Sequence, residues 1–251
     1  MRKESNTDYI SGRRAVREAL DAGLNLDKLY IAKGDIDAAG RSLISVAKAA
    51  GVVVVEADRR RLDDLCGSPN HQGVLAVAAV CEYATVDDIL QLAAERNEPP
   101  FLVICDEIMD PHNLGAIIRT AEGAGAHGVI IPKRRSAGLT SIVQKTSAGA
   151  VNHLPVARVP NLTAAIKTLQ AAGIWIYGAA MDGAKDLWNT DFSGAVGLVI
   201  GNEGQGISRL VAEQCDFLVR IPMLGRVGSL NASVSAGLLL YEVVRQRTVT
   251  V

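Results

Sequence analysis

The 251-residue sequence predicts an α/β protein in two parts, a small α/β domain over residues 1–81 and a larger one over 99–251, with a linker at 82–98. Three observations carry this. Apolar runs at Phe101–Cys105, Gly128–Ile131, Ile174–Ala179, Val196–Ile200 and Phe217–Ile221 look like parallel strands covered on both faces. Helical stretches near Leu114–Gly123, Leu162–Ala172, Ser208–Glu213 and Ser229–Arg247 alternate with them, the pattern of a doubly wound parallel sheet. Pro99-Pro100 stops any preceding helix and starts the larger domain.

The small domain alternates helix and strand. Ser11 is placed to cap a helix running through Leu20 and stopping near Gly23. Lys28–Ala32 reads as a strand. Asp37–Ala50 reads as a helix ended by Gly51, which tolerates the left-handed turn there. Val52–Val55 and Gly73–Val80 read as buried strands, with a short helix over Asp58–Leu65 between them. The linker is expected to hold one amphipathic helix, Val86 to Arg96.

Composition narrows the function. With 49% hydrophobic and 21% charged residues, the chain can bury a sizeable core. No apolar stretch is long enough to span a membrane, and Met1–Asn6 lacks the apolar core of a signal peptide, so a cytoplasmic protein is expected. Cys66, Cys81, Cys105 and Cys215 are scattered and form no metal-binding pair, so no metal is expected. A net charge of −1 argues against non-specific coating of nucleic acid. It leaves room for local patches: Arg13-Arg14 with Arg17, Arg59-Arg60-Arg61, and Lys133-Arg134-Arg135.

Gly123–Gly128 matches a dinucleotide G-x-G-x-x-G, but a helix precedes it and a strand follows, the reverse of what that fingerprint needs. Those glycines are expected to end a helix and turn the chain. Gly201–Gly206 lacks the Lys-Ser/Thr of a nucleoside-triphosphate loop.

Three other segments carry the chemistry. Each runs from a strand through a turn into a helix: Asp106-Glu107-Ile108-Met109-Asp110-Pro111-His112-Asn113-Leu114-Gly115 up to Arg119, then Gly197–Ser208, then Ile221–Gly237. In the last, Gly225 and Gly228 carry no Cβ, so a ligand can approach backbone. A helix start nearby offers unpaired N–H groups beside Ser229 and Asn231. In order and spacing, the three segments resemble the signature motifs of the SpoU/TrmH family of RNA ribose 2′-O-methyltransferases, over roughly residues 99–247. The N-terminal part, including His71-Gln72-Gly73-Val74, resembles the ribosomal-protein-L30e-like RNA-binding domain of one branch.

The resemblance implies a C-terminal deep trefoil knot and S-adenosylmethionine as cofactor. It implies a cofactor pocket lined by Ala179, Ala180, Met181, Gly201, Asn202, Ile221, Met223, Ser229 and Leu230, and a catalytic set of Asn113, Arg119, Glu203, Ser229 and Asn231. Arg119 is expected to bind the target phosphate rather than act as a base, because guanidinium stays protonated. Arg13, Arg14, Lys133, Arg134 and Arg135 are the RNA-contact candidates. A homodimer is expected, because the last helix carries apolar residues around more than one face: Val234, Ala236, Leu238–Leu240 and Val243-Val244. The extra N-terminal domain points to ribosomal RNA, in particular a guanosine of 23S rRNA, free or in an assembly intermediate. A tRNA guanosine enzyme, an adenosine-specific rRNA resistance methylase, a non-catalytic RNA-binding protein and a nicotinamide oxidoreductase are the rivals.

Overall fold

The structure is a computed structural model that describes residues 9–34, 37–180 and 185–249. These residues form two compact units. The first holds residues 9–82 together with Gly138–Ser141; the second holds Tyr83–Ala137 and the chain from Ile142 onward.

The first unit contains β1 (Tyr9–Ser11), α1 (Arg13–Asp21), β2 (Leu26–Ala32), α2 (Ala38–Ala49), β3 (Val53–Ala57), α3 (Arg59–Cys66) and β4 (Val74–Ala78). Its sheet order is β1-β4-β2-β3, with β2 and β3 parallel and the other pairs antiparallel. Val16, Leu29, Leu43, Ala47 and Ala76 form the core between helices and sheet. Asp37 caps α2 by accepting from Gly40 N at 2.9 Å. Two sequence expectations change here. Ser11 ends β1 instead of capping α1; Gly12, at φ 92°, takes the cap position and no side chain closes it. Val53–Val55 are only half-buried, because β3 is an edge strand. The short β1 itself carries no alternation long enough to show as a strand.

The second unit opens with α4 (Val86–Glu95), followed by β5 (Phe101–Cys105), α5 (Pro111–Gly123), β6 (Gly128–Pro132), α6 (Ser141–Thr146) and β7 (Val156–Val159). Then come α7 (Leu162–Ala171), β8 (Trp175–Ala179), β9 (Lys185–Asp186), β10 (Val196–Ile200), α8 (Arg209–Ala212), β11 (Phe217–Arg220) and α9 (Ala232–Val249). Seven parallel strands lie in the order β7-β6-β5-β10-β8-β11-β9. Strand order reverses between β5 and β10, where open parallel sheets place ligands at the carboxyl ends of the strands.

Every residue of β5 and β10 is buried, as their apolar runs require. The large side chains among them contribute about 1.5–3 kcal/mol each relative to exposure. The segment read as a linker is no free connector: Thr85 closes a reciprocal capping box with Asp88, and Ile89 is fully buried in the core with Leu102, Ile130 and Ile166. Gly128 must be glycine, since a Cβ there would lie 2.5 Å from Ile89. Gly123 ends α5 and Gly125 turns the chain at φ 74°, so the dinucleotide-like glycines punctuate as expected. β7, β9 and α6 were not foreseen; each is six residues or shorter. No described helix is long and apolar enough to cross a membrane.

Candidate active site

The three motif segments meet at the carboxyl ends of the strands. β5 delivers Asp106, a buried carboxylate that accepts from Ser208 N at 2.7 Å and pins the loop after β10. That loop closes on itself: Asn202 and Gly206 exchange backbone hydrogen bonds of 3.0 and 2.8 Å, and Asn202 Oδ1 accepts from Gly204 N at 2.8 Å. A Cβ on Gly201 would stand 2.2 Å from the Gly206 carbonyl carbon, so only glycine lets the loop fold back.

Across this loop the side chains form one network. Asn113, in the first turn of α5, donates to Glu203 Oε1. Asn231 Nδ2 donates to both Asn113 Oδ1 (2.9 Å) and Glu203 Oε1 (3.0 Å). Asn231 also caps α9, its Oδ1 accepting from Ser233 N at 3.0 Å and Ser233 Oγ at 2.6 Å. The last helix therefore starts at Ala232 with Asn231 as its cap, three residues later than the expected start at Ser229. One residue serves as both cap and network member, because its amide offers donor and acceptor ends in opposite directions. The carboxylate between two amides ties three loops, far apart in sequence, into one arrangement.

Beside the network lies a cavity of about 480 Å³, within the usual range for a small-molecule site. Ala179, Ala180, Gly201, Asn202, Ile221, Met223, Ser229 and Leu230 all line it. Met181 lies outside the described residues. Gln205, Ile207, Ala212 and Ser235 also line it without having been expected as cofactor contacts, although all but Ala212 lie inside the motif segments. Sequence reasoning also missed the role of Asp106, although a carboxylate closing a five-residue apolar strand was a visible mark.

The remaining candidates separate. Arg119 is exposed on α5, and among the described residues it has no hydrogen-bond or ion-pair partner. Glu203 orders Asn113 and makes no hydrogen bond to Arg119. Arg13 pairs with Asp37 at 2.6 Å, Arg14 with Glu18 at 3.0 Å and Arg135 with Glu107 at 2.8 Å. Lys133 and Arg134 show no such pairing among the described residues. Burial first, then Asp106, pushes the Cys105 thiol up to about 12; burial does the same to Cys215, with Asp216 adding to it. Neither thiol supplies a nucleophile at neutral pH. Among the described residues no group of three or more His, Cys, Asp or Glu is placed to hold a metal.

Residues 100–241 match the model of the SpoU rRNA Methylase family, and residues 9–84 match a domain described as RNA 2′-O ribose methyltransferase substrate binding. A Bacillus subtilis protein named for the TrmH family of tRNA/rRNA methyltransferases is 48% identical over 240 residues, covering 96% of each chain. A Staphylococcus aureus protein named for the same family is 45% identical over 95% of this chain and 96% of its own. Among solved structures, the SpoU methyltransferase AviRb from Streptomyces viridochromogenes, in complex with AdoMet, is 30% identical with a TM-score of 0.59, over 96% of this chain and 90% of that one. The three motifs, the cavity between them and these likenesses agree: the chain belongs to the SpoU/TrmH family of RNA methyltransferases.

Proposed function

We propose that this chain transfers a methyl group from S-adenosylmethionine to the ribose 2′-hydroxyl of one RNA nucleotide, a guanosine in 23S rRNA. The observation that carries it is the Asn113–Glu203–Asn231 network beside a glycine-walled cavity. The cavity fits the cofactor. Ala179, Ile221, Met223 and Leu230 offer apolar surface to an adenine ring, and the Gly201–Gly206 loop offers backbone at close range. S-adenosylmethionine supplies an activated methyl on a sulfonium, so no metal is needed at the reacting atoms. The protein's work is to align the hydroxyl and to manage its proton.

Asn113, Glu203 and Asn231 spend their polar groups largely on one another, so they hold the loops that shape the site. Ser229, exposed at the cavity wall, is free to meet the nucleotide or cofactor. Arg119 takes the target phosphate as a bidentate anchor and so orients the ribose. The solvent-facing stripe of α9, Val234, Leu238 and Tyr241 at helical spacing, supports a homodimer, while Ala236, Leu239, Leu240 and Val243 face inward. A monomeric mass in solution would contradict that dimer. The N-terminal domain match supports binding of an RNA substrate for 2′-O ribose methylation. The ribosomal target and the guanosine rest on the resemblance of the domain and motifs to one branch of the family.

The test is transfer of labelled methyl to 23S rRNA and, separately, to total tRNA, followed by mapping of the modified ribose. Arg119→Lys should lose nearly all turnover and still bind S-adenosylmethionine in calorimetry. Near-normal turnover in that variant would remove Arg119 from the site. Label on tRNA alone would keep the chemistry and overturn the ribosomal target.

A further inference from the structure

At the other end of the second unit's sheet lies an aromatic cavity that the methyl-transfer site does not use. It holds about 370 Å³ and is lined by Trp175, Tyr177, Lys185, Asp191, Ser193 and Phe217, among others. Trp175 and Phe217 open β8 and β11, while Ala179 closes β8 at the cofactor-sized cavity. Four strand steps separate Trp175 from Ala179, or about 13 Å. The aromatic wall is rigid. Tyr177 stacks on Phe217 at 5.1 Å and 25°, packs on Phe192 at 4.7 Å, and donates its hydroxyl to the Asp191 carbonyl at 2.8 Å. Trp175 leans on Phe217 at 5.7 Å yet remains 53% exposed, and Lys185 Nζ stands 5.8 Å from the Phe217 ring centre. The chain has two tryptophans; the second, Trp188, is 57% exposed in the turn after β9.

Core packing does not account for this, since half of the Trp175 surface is left open by the described residues. We propose that this cavity is a second RNA contact, holding one unstacked base of the substrate on the exposed Trp175 face with Lys185 at the neighbouring phosphate. Single-stranded RNA is recognised by stacking on aromatic faces beside positive charge. The Asp191 carboxylate, whose Oδ1 already accepts from Ser193 N at 2.9 Å, can only accept. It selects a base edge made of donors, guanine before uracil. The inference rests on the chain acting on RNA, and its test separates the two.

In a Trp188→Phe background the fluorescence reports Trp175 alone. Short single-stranded oligoguanylate should quench it at lower concentration than oligouridylate. Trp175→Ala should weaken oligonucleotide binding about 5- to 150-fold, the usual loss of one base stack, with S-adenosylmethionine affinity unchanged. Lys185→Ala should flatten the salt dependence. RNA binding at full strength in Trp175→Ala would overturn the stacking site and leave the RNA methyltransferase reading standing. Altered oligomeric mass in Trp175→Ala with unchanged RNA affinity would overturn it in favour of a second copy of this chain. Failure of the parent protein to bind any RNA, ribosomal or short, would overturn both.

Discussion

The two units treat their basic residues differently at the Arg13–Arg17 and Lys133–Arg135 clusters, while Arg59-Arg60-Arg61 of the first unit forms no ion pair among the described residues. In the first, Arg13, Arg14 and Arg17 each pair with an acid of the same unit, two of them at helical i,i+4 spacing. Lys33 pairs with Asp58. In the second, Arg119, Lys133 and Arg134 lack such partners among the described residues, and of its loop cluster only Arg135 is engaged, by Glu107. A run of like charge in a sequence counts charges; the fold decides which of them still attract a phosphate. Exposed pairs of the first kind contribute little to stability, so their arginines can swing to RNA, but an ionic partner must first be given up.

The largest effect that would break this contrast lies at the glycine-walled loop. Gly201→Ala places a Cβ against the Gly206 backbone, where nothing flexible can yield. Cofactor binding should fall below detection in calorimetry while circular dichroism keeps the parallel-sheet signal. Retained binding would show that the loop is not built on that glycine.

A smaller effect concerns the start of β5. His127 is buried; its Nδ1 accepts from Phe101 N at 3.0 Å, so Nε2 carries the proton and donates to Glu98 at 3.0 Å. Burial lowers its pKa below the ordinary value, and this outweighs the Glu98 carboxylate, which acts the other way. The folded state thus prefers neutral histidine. Its stabilising share is complete above the unfolded value of about 6.5 and declines as pH falls through that value towards the folded one. The urea midpoint should drop between pH 7 and 5, and His127→Gln should flatten that drop while lowering the midpoint at pH 8.

The smallest effects test the charge contrast itself. Arg134→Ala should weaken RNA binding and reduce the salt slope by about one. Arg14→Ala should change the slope less, because Glu18 already holds that guanidinium. Equal slopes would erase the difference between the clusters.

Much was legible because it rests on local rules. The buried strands β5 and β10 announced themselves by continuous apolar residues, Gly128 and Gly125 by punctuation, and the site by three strand–turn–helix segments of fixed order. Short pieces were not legible. β1, β7 and β9 have four or fewer residues, too few for a period, and their pairing comes from neighbours: Tyr9 meets Val77, Val156 meets Val129, Lys185 meets Val219.

The sequence by itself determined the fold class, the family and the residues of the network, since backbone preference, periodicity and motif spacing are properties of neighbouring residues. Tertiary structure alone decided what those residues do to each other. It made Asn231 both cap and network member, buried Ile89 and Ala93 of the segment read as a linker in the second unit, and placed Gly138–Ser141 in the first unit. There Val80 N bonds to Leu139 O at 2.8 Å, and a Cβ on Gly138 would strike the Asp27 carboxylate. Such contacts join residues 59 and 111 positions apart, and no local pattern encodes a partner at that distance.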